Sequence, residues 1–353
     1  MGVFKDNKTN RWTVKIHFKD WTGKNKQKKK EGFATKKEAL EWERDFLNSC
    51  RTDITITFEN LVIEYMRDCE TRLKPTTYQS KEYIISTKIL PYFAKLAIGD
   101  IDVHTVRKWQ NSLLTNSKKF APTYLKTTHN QLSAILNFAV KYYNLPFNPA
   151  ARCGSIGKKN ADAMQIWTID EFRQFIVAVS NKPLSELLFN LLFYSGMRSG
   201  ELLALTLNDF DFESNTININ KTFSVLIGGV QHTSTPKTHK SKRIITMPMQ
   251  IMDLVKQYAE KLYGYKPKDR LFPVTKSYLT AEMIRGCKNS QVKKIRVHDL
   301  RHSHASLLIE LDFNPLIVSE RLGHEDIQTT LNTYSHLYPN KHQEVASKLS
   351  TLF

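Results

Sequence analysis

The spacing of apolar residues changes part-way along this chain, and that change limits its architecture more than any other feature. Over residues 12–18 the apolar positions alternate. Trp12, Val14, Ile16 and Phe18 stand against polar neighbours, which is the period of a strand with one buried face. Beyond residue 50 the period becomes helical. Phe58, Leu61, Val62, Tyr65 and Met66 form one stripe, and Pro75 opens a second helix carrying Tyr78, Tyr83, Ile84 and Ile89. Val103, Val106 and Trp109 mark a third. Pro122 opens a long one with Leu125, Leu132, Ile135, Leu136 and Phe138. Such stripes are core-forming faces. At 353 residues the chain is expected to divide into two or three domains. The fold class expected is multidomain and mainly α.

Three sections separate on this pattern. Residues 1–50 read as a small β-sheet closed by a helix: the strand at 12–18, a turn at 20–24, and a third strand reaching Phe33. Thr35 and Glu38 then have capping-box spacing ahead of a helix through Leu40, Trp42, Phe46 and Leu47. Residues 51–155 read as helical, with a linker near 154–160. Residues 163–353 form the largest section. Thr168 and Glu171 repeat the capping-box spacing, an apolar helix covers residues 187–194, and strand-like pieces fall at 216–219 and 243–246. Helices dominate again to about residue 336.

Lys and Arg outnumber Asp and Glu by 52 to 34, a net charge of +18. That balance asks for a polyanionic partner, nucleic acid ahead of an anionic membrane. The first fifty residues hold 13 basic and 7 acidic side chains, with Lys28, Lys29 and Lys30 adjacent on the expected sheet. A small basic sheet suits a DNA groove, although lysines also keep an exposed sheet edge from pairing. No apolar run approaches the roughly 20 residues of a membrane span. The N-terminus shows neither a secretory nor a myristoylation pattern. Cys50, Cys69, Cys153 and Cys287 are scattered, with no Cys-x-x-Cys pair. A disulfide framework or zinc knuckle is therefore not expected, and a reducing, cytoplasmic compartment is.

Four short stretches hold residues able to do chemistry. Around residues 194–205 a helix ends near Gly196 and another begins near Arg198, with Glu201 three residues on and on the same face. Residues 235–248 form a basic hairpin or turn entering a strand, with Lys237, Lys240, Lys242 and Arg243. The run His298-Asp299-Leu300-Arg301 puts His298 and Arg301 on one helical face, with His302 and His304 close behind. These histidines lack the His-Glu-x-x-His spacing of a zinc site, and no cysteine or downstream glutamate completes one. Last, Leu322-Gly323-His324 precedes Tyr334 by ten residues.

Taken in order, Arg, Lys, His-x-x-Arg, Gly-His and Tyr resemble the tyrosine recombinase (phage-type integrase) family. The likeness covers nearly the whole chain in layout and is most specific over residues 194–336. It implies an arm-type DNA-binding domain over 1–50, a helical, SAM-like core-binding domain over 51–155, and a mixed α/β, mostly helical catalytic domain with a C-terminal tail over 163–353. By position, Tyr334 would be the nucleophile, Arg198 and Arg301 the clamp on the scissile phosphate, and His324 a further phosphate contact. His298 would be the base beside the tyrosine, and Glu201 a support for the site's geometry. Lys237 would be the general acid, with Lys240 and Lys242 close competitors. Lys28, Lys29, Lys30, Lys240, Lys242 and Arg243 are the DNA-contact candidates.

This chemistry suits those residue types. Two guanidiniums present fixed forks of donors to the charge that builds on the non-bridging oxygens, so no metal is required. Tyrosine, with an ordinary pKa of about 10, needs a base or nearby cations to attack at neutral pH. A lysine can protonate the leaving 5′-oxygen. Attack leaves a 3′-phosphotyrosine and a free 5′-hydroxyl, and the retained bond energy makes ATP unnecessary. The resemblance further implies two rounds of exchange through a Holliday junction in a homo-tetramer on double-stranded DNA with core-type and arm-type sites. It also implies an excisionase and a host DNA-bending protein as accessory partners, a phage or mobile element as the DNA integrated, and no cofactor. Val345, Leu349, Leu352 and Phe353 are expected to dock on a neighbouring protomer. A nicking-closing topoisomerase and a non-catalytic DNA-binding regulator are the alternatives.

Overall fold

The computed structural model describes residues 2–6, 11–19, 25–50, 55–115, 119–158, 164–236, 238–337 and 349–350. The turn expected at 20–24, Lys237, and the tail residues Val345, Leu352 and Phe353 lie outside them. The chain divides into two compact units, Met1–Asp162 and Ala163–Phe353. The division comes just after the expected linker near 154–160. The expected break near residue 50 lies inside the first unit, where the sheet and the helices have separate apolar cores.

In the first unit, β1 (Gly2–Lys5), β2 (Trp12–Lys19) and β3 (Asn25–Phe33) form an antiparallel sheet in that order. Helix α1 (Lys36–Cys50) covers one face. Val14, Ile16 and Ala39 are its buried centre, packed by Val3, Trp12, Phe33, Trp42 and Phe46. Thr35 accepts from the Glu38 N–H, and Glu38 reaches back to the Ala34 N–H, one residue before the position a capping box would use. The alternation also splits the lysine trio. Lys28 and Lys30 lie over the Phe46 and Trp42 rings. Lys29 pairs with Glu31 and stands opposite Lys15. The three do not form one patch, because consecutive strand residues point to opposite faces.

Helices α2 (Phe58–Arg72), α3 (Pro75–Ile84), α4 (Leu90–Phe93), α5 (Val103–Leu114), α6 (Pro122–Tyr142) and α7 (Pro149–Cys153) follow. Phe58, Leu61, Phe93, Trp109, Leu132 and Ile135 are at their centre. Between α3 and α4 the chain makes one widened π turn, Ile85–Ile89. Ile84, Ile85 and Ile89 are buried, while Tyr83, expected in the stripe, is 56% exposed, because at about 100° per residue it lies far round α3 from the face that Tyr78 shares with Ile85.

The second unit begins with α8 (Ile169–Val179), closed at its start by a reciprocal Thr168–Glu171 capping box. Helix α9 (Pro183–Ser195) is buried almost all round and packs against α8, α11 and α13. After the short α10 (Ser199–Leu202) come β4 (Phe210–Asp211), β5 (Thr216–Ile219), β6 (Thr222–Val225), β7 (Gln231–Ser234) and β8 (Arg243–Thr246). Strand β8 pairs with β5, not β7. The basic stretch is therefore a crossing turn between two small sheets. Helices α11 (Met249–Glu260), α12 (Lys276–Ser290), α13 (Asp299–Glu310), α14 (Pro315–Leu322) and α15 (Ile327–Tyr334) complete the fold. Among the described residues no helix is long and apolar enough to cross a membrane.

Candidate active site

The site is assembled where helices end. Gly196 closes α9 in the left-handed region, at φ +65°, and a Cβ there would meet the His304 ring at 2.5 Å. Glycine is thus required both by the backbone and by the close approach. The chain turns at once into α10, with Arg198 as the residue before its first turn. Glu201, 3% exposed, accepts from the Arg198 backbone N–H at 2.9 Å and from Arg198 Nη1 at 2.8 Å. It also accepts from Arg243 Nη2 at 3.0 Å. Burial alone would raise the Glu201 pKa, but Arg243 and Arg198 overcome it and hold the group below its ordinary value. Glu201 is therefore a carboxylate that fixes two arginines.

Arg301, on α13, is 3% exposed. It donates from Nη1 to the Gly196 carbonyl at 2.8 Å and from Nη2 to the Leu322 carbonyl at 2.6 Å. Those carbonyls close α9 and α14, so the guanidinium sits at the negative ends of two helices. Burial, then the nearby Arg198 and Arg243, lower its pKa. A guanidinium nevertheless keeps its charge in a protein. Two of its five N–H groups are used here, which leaves the others for a ligand.

Gly323 ends α14 at φ +68°, and a Cβ there would stand 2.9 Å from Arg243 Cδ. The chain then presents His324, whose Nδ1 bonds Thr330 Oγ1 at 2.8 Å. Burial, followed by Arg301 and Arg198, lowers its pKa to about 4. In the neutral tautomer whose Nδ1 accepts from Thr330, Nε2 holds the hydrogen and can donate. Arg198, Glu201, Thr222, Thr238, Ser241 and His324 are among the residues lining one open cavity of about 410 Å³.

Tyr334 ends α15 and is 1% exposed. Burial raises its pKa to about 12, against a lowering by Arg301. Its hydroxyl lies 2.6 Å from His302 Nδ1. His298, expected beside the tyrosine, stands at the start of α13 with its ring 5.2 Å from that of His302. Burial, then Arg301, lowers its pKa. Sequence reasoning passed over His302, though it lies one turn from His298 and so shares its face.

Lys240 and Lys242 are exposed on the crossing turn. Arg243 departs from its expectation as a DNA contact. Its side chain is 7% exposed and donates to Glu201, to the Arg321 carbonyl at 2.8 Å and to the Ser241 carbonyl at 3.1 Å. It braces the site from within, because on β8 it shares the inward face of buried Ile245 while Ile244 points out. His304 is fully buried and accepts from Arg321 Nε at 3.1 Å. Among the described residues no three His, Cys, Asp or Glu side chains converge as a metal set.

Comparison with known proteins places this architecture. Residues 166–341 match the phage integrase family, residues 57–114 the N-terminal SAM-like domain of phage integrases, and residues 3–50 an arm DNA-binding domain. The ICEBs1 integrase of Bacillus subtilis (strain 168) is 32% identical over 345 residues, covering 90% of this chain and 91% of that protein. The chain belongs to the phage integrase family of tyrosine recombinases. It is a site-specific recombinase by family, and the matches give no support to the topoisomerase or regulator alternatives. The Tn1549 transposon integrase, solved with a circular intermediate DNA, superposes with a TM-score of 0.70 at 18% identity over 84% of this chain and all of that one. The lambda integrase tetramer bound to a Holliday junction gives 0.59 at 16% identity over 92% and 95%. Both likenesses are of fold.

Proposed function

We propose that this integrase cleaves double-stranded DNA by attack of Tyr334 on a scissile phosphate held by Arg198, Arg301 and His324. The observation that carries the reading is a charge imbalance. Arg198, Arg243 and Arg301 gather around a single buried carboxylate, Glu201. The excess positive charge, open at the cavity beside Arg198 and His324, fits a phosphodiester anion and its transition state. Glu201 and Arg243 hold the clamp from behind. Lys237 remains the general acid for the 5′-oxygen, with the exposed Lys240 and Lys242 as its competitors.

The same reading assigns the sheet of residues 1–50 to arm-type DNA and the helices of 51–155 to core-type DNA, with residues 163–353 catalytic. Lys15 and Lys29 stand opposite one another across β2 and β3, where a polyanion laid over the sheet would offset their like charge. Strand exchange then proceeds through a 3′-phosphotyrosine and a Holliday junction within a tetramer.

The test is covalent trapping. Wild type and Tyr334→Phe are incubated with labelled, nicked DNA spanning the element junction in EDTA, and the products are run on a denaturing gel. An adduct in wild type alone is expected. An adduct in both would move the nucleophile elsewhere.

A further inference from the structure

We propose that His302, not His298, takes the proton from Tyr334 as the tyrosine attacks. This rests on Tyr334 being the nucleophile. The geometry is direct: Tyr334 Oη and His302 Nδ1 are 2.6 Å apart, within reach for proton transfer. Among the described residues it is the one hydrogen bond of a hydroxyl that is otherwise sealed from water. A buried hydroxyl that keeps its proton must place it on an acceptor, which here is the Nδ1 lone pair, leaving the ring hydrogen on Nε2. His298 meets the His302 ring edge-on at 5.2 Å between centroids, with no bond to the tyrosine. It is in place to steady the imidazole.

The charged and titratable groups facing His302 are His298, Asp299, Arg301 and Arg296 around its own helix start, Tyr334 from α15 and His324. Burial, then His298, keep the ring neutral with a pKa lowered to about 4, while the tyrosine is raised to about 12. Transfer is therefore uphill in the resting protein. It becomes favourable as the Oη–P bond forms and the phenol loses its basicity. In that step Oη bonds to phosphorus, the Oη proton passes to His302 Nδ1, and the P–O5′ bond breaks. The 5′-oxygen takes a proton from the general acid. His302 is left as imidazolium and returns its proton when the 5′-hydroxyl attacks in religation.

Glutamine separates a proton acceptor from a tether, since its amide oxygen can accept the hydroxyl but cannot keep the proton. Single-turnover covalent capture on nicked DNA is measured against pH for wild type, His302→Gln and His302→Ala, with DNA binding followed in parallel. Both variants are expected to bind DNA and to lose about 10²–10⁴-fold in capture rate. Their rates should climb tenfold per pH unit while wild type levels off. Restoration of the wild-type rate and profile by glutamine would make His302 a tether only. An unchanged rate in both variants, or loss of DNA binding in both, would equally overturn the proposal. Tyr334→Phe, run alongside, fails to form an adduct if the nucleophile is right; an adduct there sinks the underlying reading instead.

Discussion

The bond between Thr330 and His324 ties the proposed phosphate contact to the helix of the proposed nucleophile, and replacing Thr330 by valine tests that link. Thr330 is fully buried one turn before Tyr334 on α15, and its hydroxyl meets His324 Nδ1 at 2.8 Å. Valine keeps the shape and removes the hydroxyl. The lost bond is worth about 0.5–1.5 kcal/mol, and leaving the partially buried nitrogen without a donor costs about 1–3 kcal/mol. If that energy is what holds Nε2–H toward the phosphate, each 1.36 kcal/mol is a tenfold loss in rate. A loss of about 10–100-fold in covalent capture is expected. The ceiling is the 10²–10³-fold or so that follows from deleting a transition-state donor outright. DNA affinity should change by less than about twofold, because the arginine contacts persist. Single-turnover capture on nicked DNA measures the rate, and gel shifts measure affinity. Thr330→Ser, which keeps the hydroxyl and drops only the methyl, should stay near wild type. If valine reacted at the wild-type rate, or serine fell as far as valine, packing rather than the bond would be responsible and the reasoning would fail.

Two further outcomes follow from the charges. Glu201→Gln should destabilise the second unit by about 3 kcal/mol at neutral pH, since two arginines lose their buried counter-charge. The folded pKa of Glu201 lies below its ordinary value of 4.5. The carboxylate's contribution is therefore complete above that value and lost as pH falls through the folded one. The gap between wild type and variant in urea midpoint, read at buried Trp167, should accordingly narrow as pH falls below 4.5; a constant gap would refute the charge argument. Deleting residues 1–50 should reduce recombination more than cleavage of a minimal core site, and should flatten the salt dependence of binding by about 0.9 on a log–log plot for each phosphate contact removed. Equal loss in both assays would contradict a separate arm-binding role.

Local rules made much of this fold legible. The Thr168–Glu171 spacing gives a true capping box, the Phe58–Met66 stripe is buried, and β5 and β8 fall at the two strand-like pieces, 216–219 and 243–246. Legibility fails where one element sets the face of another. Arg243 looked like one more cation in a lysine-rich turn. The pair Ile244 and Ile245 hides which strand face is inward, and only the pairing of β8 with β5 settles it. In the site, the ordered motifs pointed to Arg198, Arg301 and His324. The partners that orient them, the Gly196 and Leu322 carbonyls, Arg243 and Thr330, come from segments far apart in sequence. His302 was overshadowed for a different reason: a histidine following an arginine has no distinctive spacing of its own, and its role depends on where α15 delivers Tyr334.

With Tyr334 as the proposed nucleophile, these partners together explain how it is kept harmless without DNA. With its pKa at about 12, Tyr334 is ionised in roughly one molecule in 10⁵ at neutral pH, and its hydroxyl is sealed against a neutral histidine. Arg301 cannot lower that value further on its own, since it is already engaged with two helix-end carbonyls and buried beside Arg198 and Arg243. A phosphate in the cavity changes the balance. It supplies the anion that the arginines lack, and it offers the electrophile whose bond to Oη makes the phenol acidic. The two roles are therefore divided: the charge cluster draws the phosphate in, while burial of Tyr334 against a neutral histidine withholds the nucleophile, against the lowering by Arg301, until the phosphate is there.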